Sequence, residues 1–279
     1  MTVFALHNGQ TAAAVAPADR GFNYGDGLFA TVRVRAGRAQ FLAEHLQRLQ
    51  RDATRLDIAL DASALMREIA ALLADGGDGV LKIIVTRAAA ARGYAPPPRA
   101  AGERFVLFYP QAVDSPLPDS LARAADGIAA RLCRQRLSEQ PVLAGIKHLN
   151  RLEQVLARAE WSDAAVAEGL MLDTAGRLVE GTMSNVFLVR DGRALTPRLH
   201  RCGVAGVIRE VILRRLSARC VPVEESDLTL EDLYAADEVF LTNSLIGIWP
   251  VQKIECVHKA VGPVTRAFQT ALAALADGS

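Results

Sequence analysis

The sequence predicts a two-domain protein of mixed α+β and α/β class. Three observations lead there. Its 279 residues exceed what one ordinary domain needs. Strand-like and helix-like stretches alternate up to about position 110, whereas the later part carries repeated strand–turn–strand signals. Between them, QAVDSPLPDS at 111–120 is a Pro/Asp/Ser-rich break. The expected boundaries are a smaller N-terminal α+β domain over 1–112, a linker over 113–121 and a larger C-terminal domain over 122–279.

The elements follow in order. TVFALHNGQTAAAV reads as a hairpin turning at Asn8-Gly9. Gly21, Gly25 and Gly27 crowd a loop before a strand over Leu28–Val34, and a turn at Gly37 leads to Phe41. Leu42, Leu46, Leu49, Ala53 and Leu56 make one helical stripe. A second helix over Ala64–Ala74 stops at Asp75-Gly76-Gly77. GVLKIIVTRA and ERFVLFYP are strands on their β-branched and aromatic content, and the prolines of RGYAPPPRAAGE make it a loop.

In the second part a strand is expected around Gly127–Cys133, and a helix from Leu149 with Leu152, Val155, Leu156 and Ala159 on one side. LMLDTAGRLVEGTMSNVFLVRDGRALTP reads as an antiparallel meander with turns at Thr174–Gly176 and Asp191-Gly192. GVIREVILRRL is a helix, LTLEDLYAADEVFLTNS a short helix, a strand and a turn, and the tail a helix.

Composition narrows the function. A chain 51% hydrophobic and 23% charged can bury a large core, which excludes disorder as its main state. A net charge of +1 without a basic block argues against a nucleic-acid partner. No apolar stretch approaches the roughly 20 residues of a membrane helix, so no membrane partner is expected. MTVFALHNGQ has neither the basic nor the long apolar region of a signal peptide. Cys133, Cys202, Cys220 and Cys256 lie far apart, so no zinc site is expected, and a reducing cytoplasmic setting is the default. The five histidines lack metal-ligand spacing; GxSxG, Walker A and GxGxxG are absent.

Lysine usage is more telling. Of 32 basic residues only Lys82, Lys147, Lys253 and Lys259 are lysine. A lysine in an arginine-rich chain is either one of a few left by codon bias or stands where arginine cannot serve, as a group that sheds its proton or forms an imine. Lys147 follows the apolar run Val142–Ile146 and precedes a helix. It is either a surface residue at a helix start or a desolvated amine able to act as nucleophile or base. Glu180 lies in the apolar strand LVEGTMSNVFLV, either on the solvent face or aimed into a site; alternation cannot choose between Val179 and Gly181, and the solvent face is favoured because an ionised glutamate is rarely buried unpaired. RCGVAGVIRE places glycines before a helix, an opening for an anion at the amides that follow. Asn243 and Ser244 end a strand with polar groups or simply form a turn. Helical periodicity puts Arg48 with Arg51 and Arg55 on the solvated face.

Several segments together resemble one family. DRGFNYGDGLFATVRV, EHLQRLQ, LKIIVTRAAAARGY, LAGIKHLNRLEQVLARAE, LMLDTAGRLVEGTMSNVFLV, TPRLHRCGVAGVIRE and ADEVFLTNSLIGIWPV run in the order found in the fold-type IV pyridoxal-phosphate enzymes. That group holds branched-chain and D-amino-acid aminotransferases. AGIKHLNRLEQVL is most similar to the aminodeoxychorismate lyases within it.

The resemblance implies a two-domain fold of the D-amino-acid aminotransferase kind, pyridoxal 5′-phosphate as cofactor in a cleft, and a homodimer. It implies that Lys147 carries the cofactor covalently and that Glu180 pairs with the pyridine nitrogen. The phosphate would meet Arg48, the amides of Val207 and Ile208, and Asn243–Ser244, which overrides the solvated reading of Arg48. Phe29, Thr31, Arg33, Arg92 and Tyr94 would line the substrate side, with arginines facing carboxylates. The activity implied is cleavage of 4-amino-4-deoxychorismate to 4-aminobenzoate and pyruvate, on the route to folate. The alternatives are a branched-chain or D-amino-acid aminotransferase of the same fold and a non-catalytic protein that kept the fold.

Overall fold

The structure, a computed structural model, describes residues 3–11, 14–97, 101–111 and 123–277. They group into two units. The first comprises the residues up to 111 together with Lys147–Asn150, and the second comprises 123–146 and 151–277. The expected linker at 113–121 lies outside the described residues.

The first unit is an antiparallel sheet of six strands in the order β2-β1-β6-β5-β3-β4, with strands Phe4–His7 (β1), Gln10–Thr11 (β2), Gly27–Arg35 (β3), Arg38–Ala39 (β4), Gly79–Thr86 (β5) and Glu103–Pro110 (β6). The β1–β2 hairpin turns at Asn8-Gly9, both at positive φ, as the sequence predicts. Alternation along β3 sends Leu28, Ala30, Val32 and Val34 into the core and leaves Phe29, Thr31 and Arg33 on the opposite face. Leu81, Ile83 and Val85 of β5 join that core beneath Leu49 and Ala53 of helix α2 (Leu42–Arg55) and Leu65 and Ile69 of α3 (Ala62–Leu72). The Asp61 side chain accepts from the Ala64 amide and starts α3. The glycine-rich segment before β3 is more than a loop, because Asp19 caps a short helix, α1 (Arg20–Tyr24), that ends at Gly25 in the left-handed region.

The second unit is built on a nine-stranded sheet of Ile128–Leu137 (β7), Val166–Asp173 (β8), Leu178–Gly181 (β9), Asn185–Arg190 (β10), Arg193–Pro197 (β11), Val223–Ser226 (β12), Glu238–Asn243 (β13), Gly247–Ile254 (β14) and Val257–His258 (β15). The sequence predicts an antiparallel meander, and β8–β9, β9–β10 and β10–β11 form one. The sheet is nevertheless mixed: β7 runs parallel to both β8 and β14, and β11 parallel to β12. Because β9 pairs with both β8 and β10, the path β10-β13-β14-β7-β8-β9 closes on itself, and the closing pair is Asn185 with Glu180. Leu170, Leu172, Val186, Leu188, Leu241, Trp249 and Val251 fill this core.

Two helices depart from expectation. The helix placed at Leu149 begins at Leu152 (α4, Leu152–Arg158), because Lys147–Leu149 is hydrogen-bonded to the start of β3. Its stripe is not core: Leu152, Val155 and Leu156 are 68%, 59% and 50% exposed. GVIREVILRRL is a single α-turn helix, α5 (Val207–Val211), continued as a π-helical turn over Ile212–Leu216. Helix α6 (Leu230–Ala235) opens with a Thr229–Asp232 capping box, and α7 (Pro263–Asp277) closes the described chain. No helix among the described residues is long and apolar enough to cross a membrane.

Candidate active site

In the first unit the site grows from the edge of β3. Lys147, His148 and Leu149 lie antiparallel to its first residues: the Phe29 amide donates to the Lys147 carbonyl at 3.0 Å and the Leu149 amide to the Gly27 carbonyl at 2.9 Å. This explains the glycines before the strand. A Cβ on Gly27 would stand 2.4 Å from the Val85 carbonyl and 2.8 Å from Leu149, and one on Gly25 would strike the Asn150 side chain. The Lys147 ammonium nitrogen sits 4.4 Å from the centre of the Phe29 ring, which holds the half-buried side chain above the outer face of the sheet.

Helix α2 supplies the other wall. His45, Arg48 and Asp52 stand at i, i+3 and i+7 and are all buried. Asp52 Oδ2 accepts from the Lys147 amide at 3.2 Å and attracts the Arg48 guanidinium. Arg48 is 5% exposed, and its Nε and Nη2 have no hydrogen-bond partner among the described residues. Burial pushes its pKa down to about 10, with Asp52 pulling the other way, so it remains a cation at neutral pH. Burial, reinforced by the charges of Arg48 and Lys147, holds His45 well below the usual histidine range, so its ring is neutral. The solvated face that periodicity assigns to Arg48 is therefore wrong at that residue, although Arg55 does stay exposed.

The remaining first-unit candidates divide. Thr31 and Arg33 share the outer face of β3 with Phe29, and burial lowers the Arg33 pKa. Arg92 and Tyr94 are exposed on the loop after β5.

In the second unit Glu180 is buried, against the solvent face expected of a glutamate without a visible partner. Every residue of β9 is buried, because the closed sheet is covered on both sides there. Glu180 Oε2 accepts from the Val204 amide at 2.8 Å. Asn185 gathers the same loop: its Nδ2 donates to the Val204 carbonyl at 2.8 Å and its Oδ1 accepts from Gly206 at 3.1 Å. Gly145, two residues before Lys147, exchanges backbone hydrogen bonds with Gly203 and Ala205. Gly206 then begins α5 without a side-chain cap, and Val207 and Ile208 are its first two residues. Asn243 Oδ1 accepts from Leu245 and Ile246, and its Nδ2 donates to Met183, so that side chain is committed to the turn while Ser244 is half-buried beside it. Glu180, the Val207 helix start and Asn243 are thus all tied to the β9–β10 hairpin.

Pattern reading missed four residues here. His45 and Asp52 were legible only as members of a polar stripe on α2. Glu168, 1% exposed, gathers the β9–β10 turn by accepting from the amides of Thr182 and Met183 and the hydroxyls of Thr182 and Ser184. Lys82 pairs in register with Thr31 and brings its ammonium 5.9 Å from the Phe29 ring, on the face that carries Arg33. Its place among only four lysines was the signal.

Known proteins resemble this chain in sequence and fold. The amino-transferase class IV family matches residues 27–254. An aminodeoxychorismate lyase of Vibrio harveyi is 35% identical, over 94% of this chain and 97% of its own. A putative branched-chain-amino-acid aminotransferase of Methanocaldococcus jannaschii is 33% identical, over 91% and 88%. The crystal structure of 4-amino-4-deoxychorismate lyase from Pseudomonas aeruginosa is 49% identical and superposes with a TM-score of 0.90, over 96% and 97% of the two chains. With the family matched from β3 to the end of β14, the chain belongs to the amino-transferase class IV family.

Proposed function

We propose that the protein is a pyridoxal-phosphate-dependent lyase that converts 4-amino-4-deoxychorismate to 4-aminobenzoate and pyruvate. One observation carries the cofactor: a buried Arg48 guanidinium with two N–H-bearing nitrogens lacking a partner among the described residues, beside a lysine segment fastened to β3. A buried cation with unused donors fits a phosphate. The likeness to the Vibrio and Pseudomonas lyases selects the reaction.

Pyridoxal 5′-phosphate, when bound, supplies an aldehyde that condenses with amines and a ring that accepts the electron pair left by a broken bond. Lys147 would hold the aldehyde end through its ε-nitrogen, and Glu180 would keep a proton on the pyridine nitrogen. Arg48, the Val207 and Ile208 amides and the Asn243–Ser244 turn would bind the phosphate. Freed from the cofactor by the substrate amine, the Lys147 ε-amine would take the proton from the ring carbon bearing that nitrogen. Arginine could not do this, since it does not shed its proton at neutral pH. Across the whole reaction one C–H and one C–O bond break, the ring becomes aromatic, and a proton returns to the released three-carbon fragment to give pyruvate. No oxidant is consumed. Arg33 and Arg92 would face the substrate carboxylates, with Phe29, Thr31 and Tyr94 beside them.

The second reading is a branched-chain or D-amino-acid aminotransferase, favoured by the likeness to the Methanocaldococcus protein. Incubation with 4-amino-4-deoxychorismate should release 4-aminobenzoate. Absence of that product, together with glutamate formed from 2-oxoglutarate and an amino acid, reverses the choice. Lys147→Ala should abolish the borohydride-reducible adduct, and an adduct that survives assigns it to another lysine. A homodimer in the cytoplasm completes the proposal. The exposed Leu152, Val155 and Leu156 on one side of α4 support a second copy as their cover.

A further inference from the structure

The segment DRGFNYGDG contributes more than its glycines. Arg20 is 4% exposed and spends its guanidinium on one loop: Nη1 donates to the Gly93 carbonyl at 2.9 Å and Nη2 to the Tyr94 carbonyl at 3.0 Å. A longer approach of 3.5 Å reaches Ala95. Nε donates to Asp26 Oδ2 at 2.8 Å. The same oxygen accepts from Arg87 Nε at 2.9 Å, and Arg87 donates to the carbonyls of Leu56 and Asp57 after α2. Asp26 is the residue before β3.

We infer that Arg20, seated on Asp26 and Arg87, is a positioning residue that sets the loop carrying Arg92 and Tyr94 and thereby the affinity for the carboxylate-bearing substrate. Among the described residues the loop's other backbone ties lie at its start, where the Arg20 amide donates to the Ala88 carbonyl and Asp19 bridges Ala89. Gly93 takes φ +104°, the Arg92 and Tyr94 side chains are exposed, and the Tyr24 ring lies 5.4 Å from that of Tyr94. A fork of donors on successive carbonyls turns the backbone inward and both side chains outward. Burial alone would raise the Asp26 pKa, but two guanidiniums more than offset it and hold the carboxyl below its usual range. Through Asp26 and Arg87 the loop is referred to the start of β3 and the end of α2, the elements that carry Phe29 and Arg48. Displacement of a binding group by about 1 Å costs up to a hundredfold in rate.

The inference rests on the functional reading above, and its test separates the two. Arg20→Lys and Arg20→Met are compared with the wild-type holoenzyme. Amide exchange over 92–95 should accelerate in both variants without substrate, and the absorbance and affinity of bound pyridoxal phosphate should not change. KM for 4-amino-4-deoxychorismate should rise about tenfold or more, with a smaller change in kcat. In an Arg92→Ala background the further loss on Arg20→Met should shrink markedly, since the two act through one contact. Unchanged exchange, an unchanged KM in an opened loop, or additive losses overturn the clamp. If the wild type makes no 4-aminobenzoate and instead transaminates, the functional reading falls; the clamp is then judged by exchange and by KM for that amino acid.

Discussion

Arg48 and His45 show what a neighbour does to a residue that periodicity would place elsewhere. Both are on α2, and both are buried with polar atoms that a helix normally keeps wet. Periodicity locates a side chain around the helix axis but not what covers it, so Arg48 was legible only through its resemblance to a phosphate ligand. His45 carries a prediction. Its folded pKa is well below the unfolded value of 6.5, so below that pH the unfolded chain binds a proton that the fold refuses. Stability is full above pH 6.5 and falls as pH drops toward the depressed folded value, by up to about 1.4 kcal/mol per pH unit. His45→Gln should flatten that decline in urea titrations between pH 7 and 5. An equally steep decline would show that other groups cause it.

At the scale of elements, the β9–β10 hairpin is where the second unit's part of the site is decided. Its strands were readable from apolar runs and its turn from glycine and polar residues, but Glu180 was misjudged because a buried glutamate needs a partner and the strand itself does not reveal the Val204 amide that donates to it. Glu168 organises this turn through donors that suit a carboxylate oxygen. Glu168→Gln would set an amide against a backbone N–H and should cost about 1–3 kcal/mol, read as a lower melting temperature. An unchanged melting temperature would place the stability of the turn elsewhere. The helix expected from Leu149 fails for a related reason. Leu149, whose amide donates to Gly27, continues the helical stripe in sequence but is tied to the start of β3. A stripe cannot reveal that its first member is needed by another sheet.

For the molecule as a whole, the class, the hairpins and most helices were legible from periodicity and turn chemistry. The parallel pairing of β7 with β14 was not, because Ile128 and Val251 lie far apart in the chain and each strand is apolar on its own account. Nor was the exposure of α4, whose spacing matches that of a core helix. That exposure makes a prediction about assembly. The wild type should sediment as a dimer, and Leu152→Glu combined with Leu156→Glu should yield monomers. A wild type that sediments as a monomer, or a variant that stays dimeric, removes α4 from the interface.

Lys147–Asn150 belongs by its hydrogen bonds to a sheet whose own strands end at Pro110. A gene fragment stopped there would encode that sheet with a bare edge along Gly27–Phe29, ready to stick to other chains, and without the reactive amine. Exchange of amino-terminal halves between relatives would therefore have to carry these four residues along, so the unit inherited together is discontinuous in the DNA.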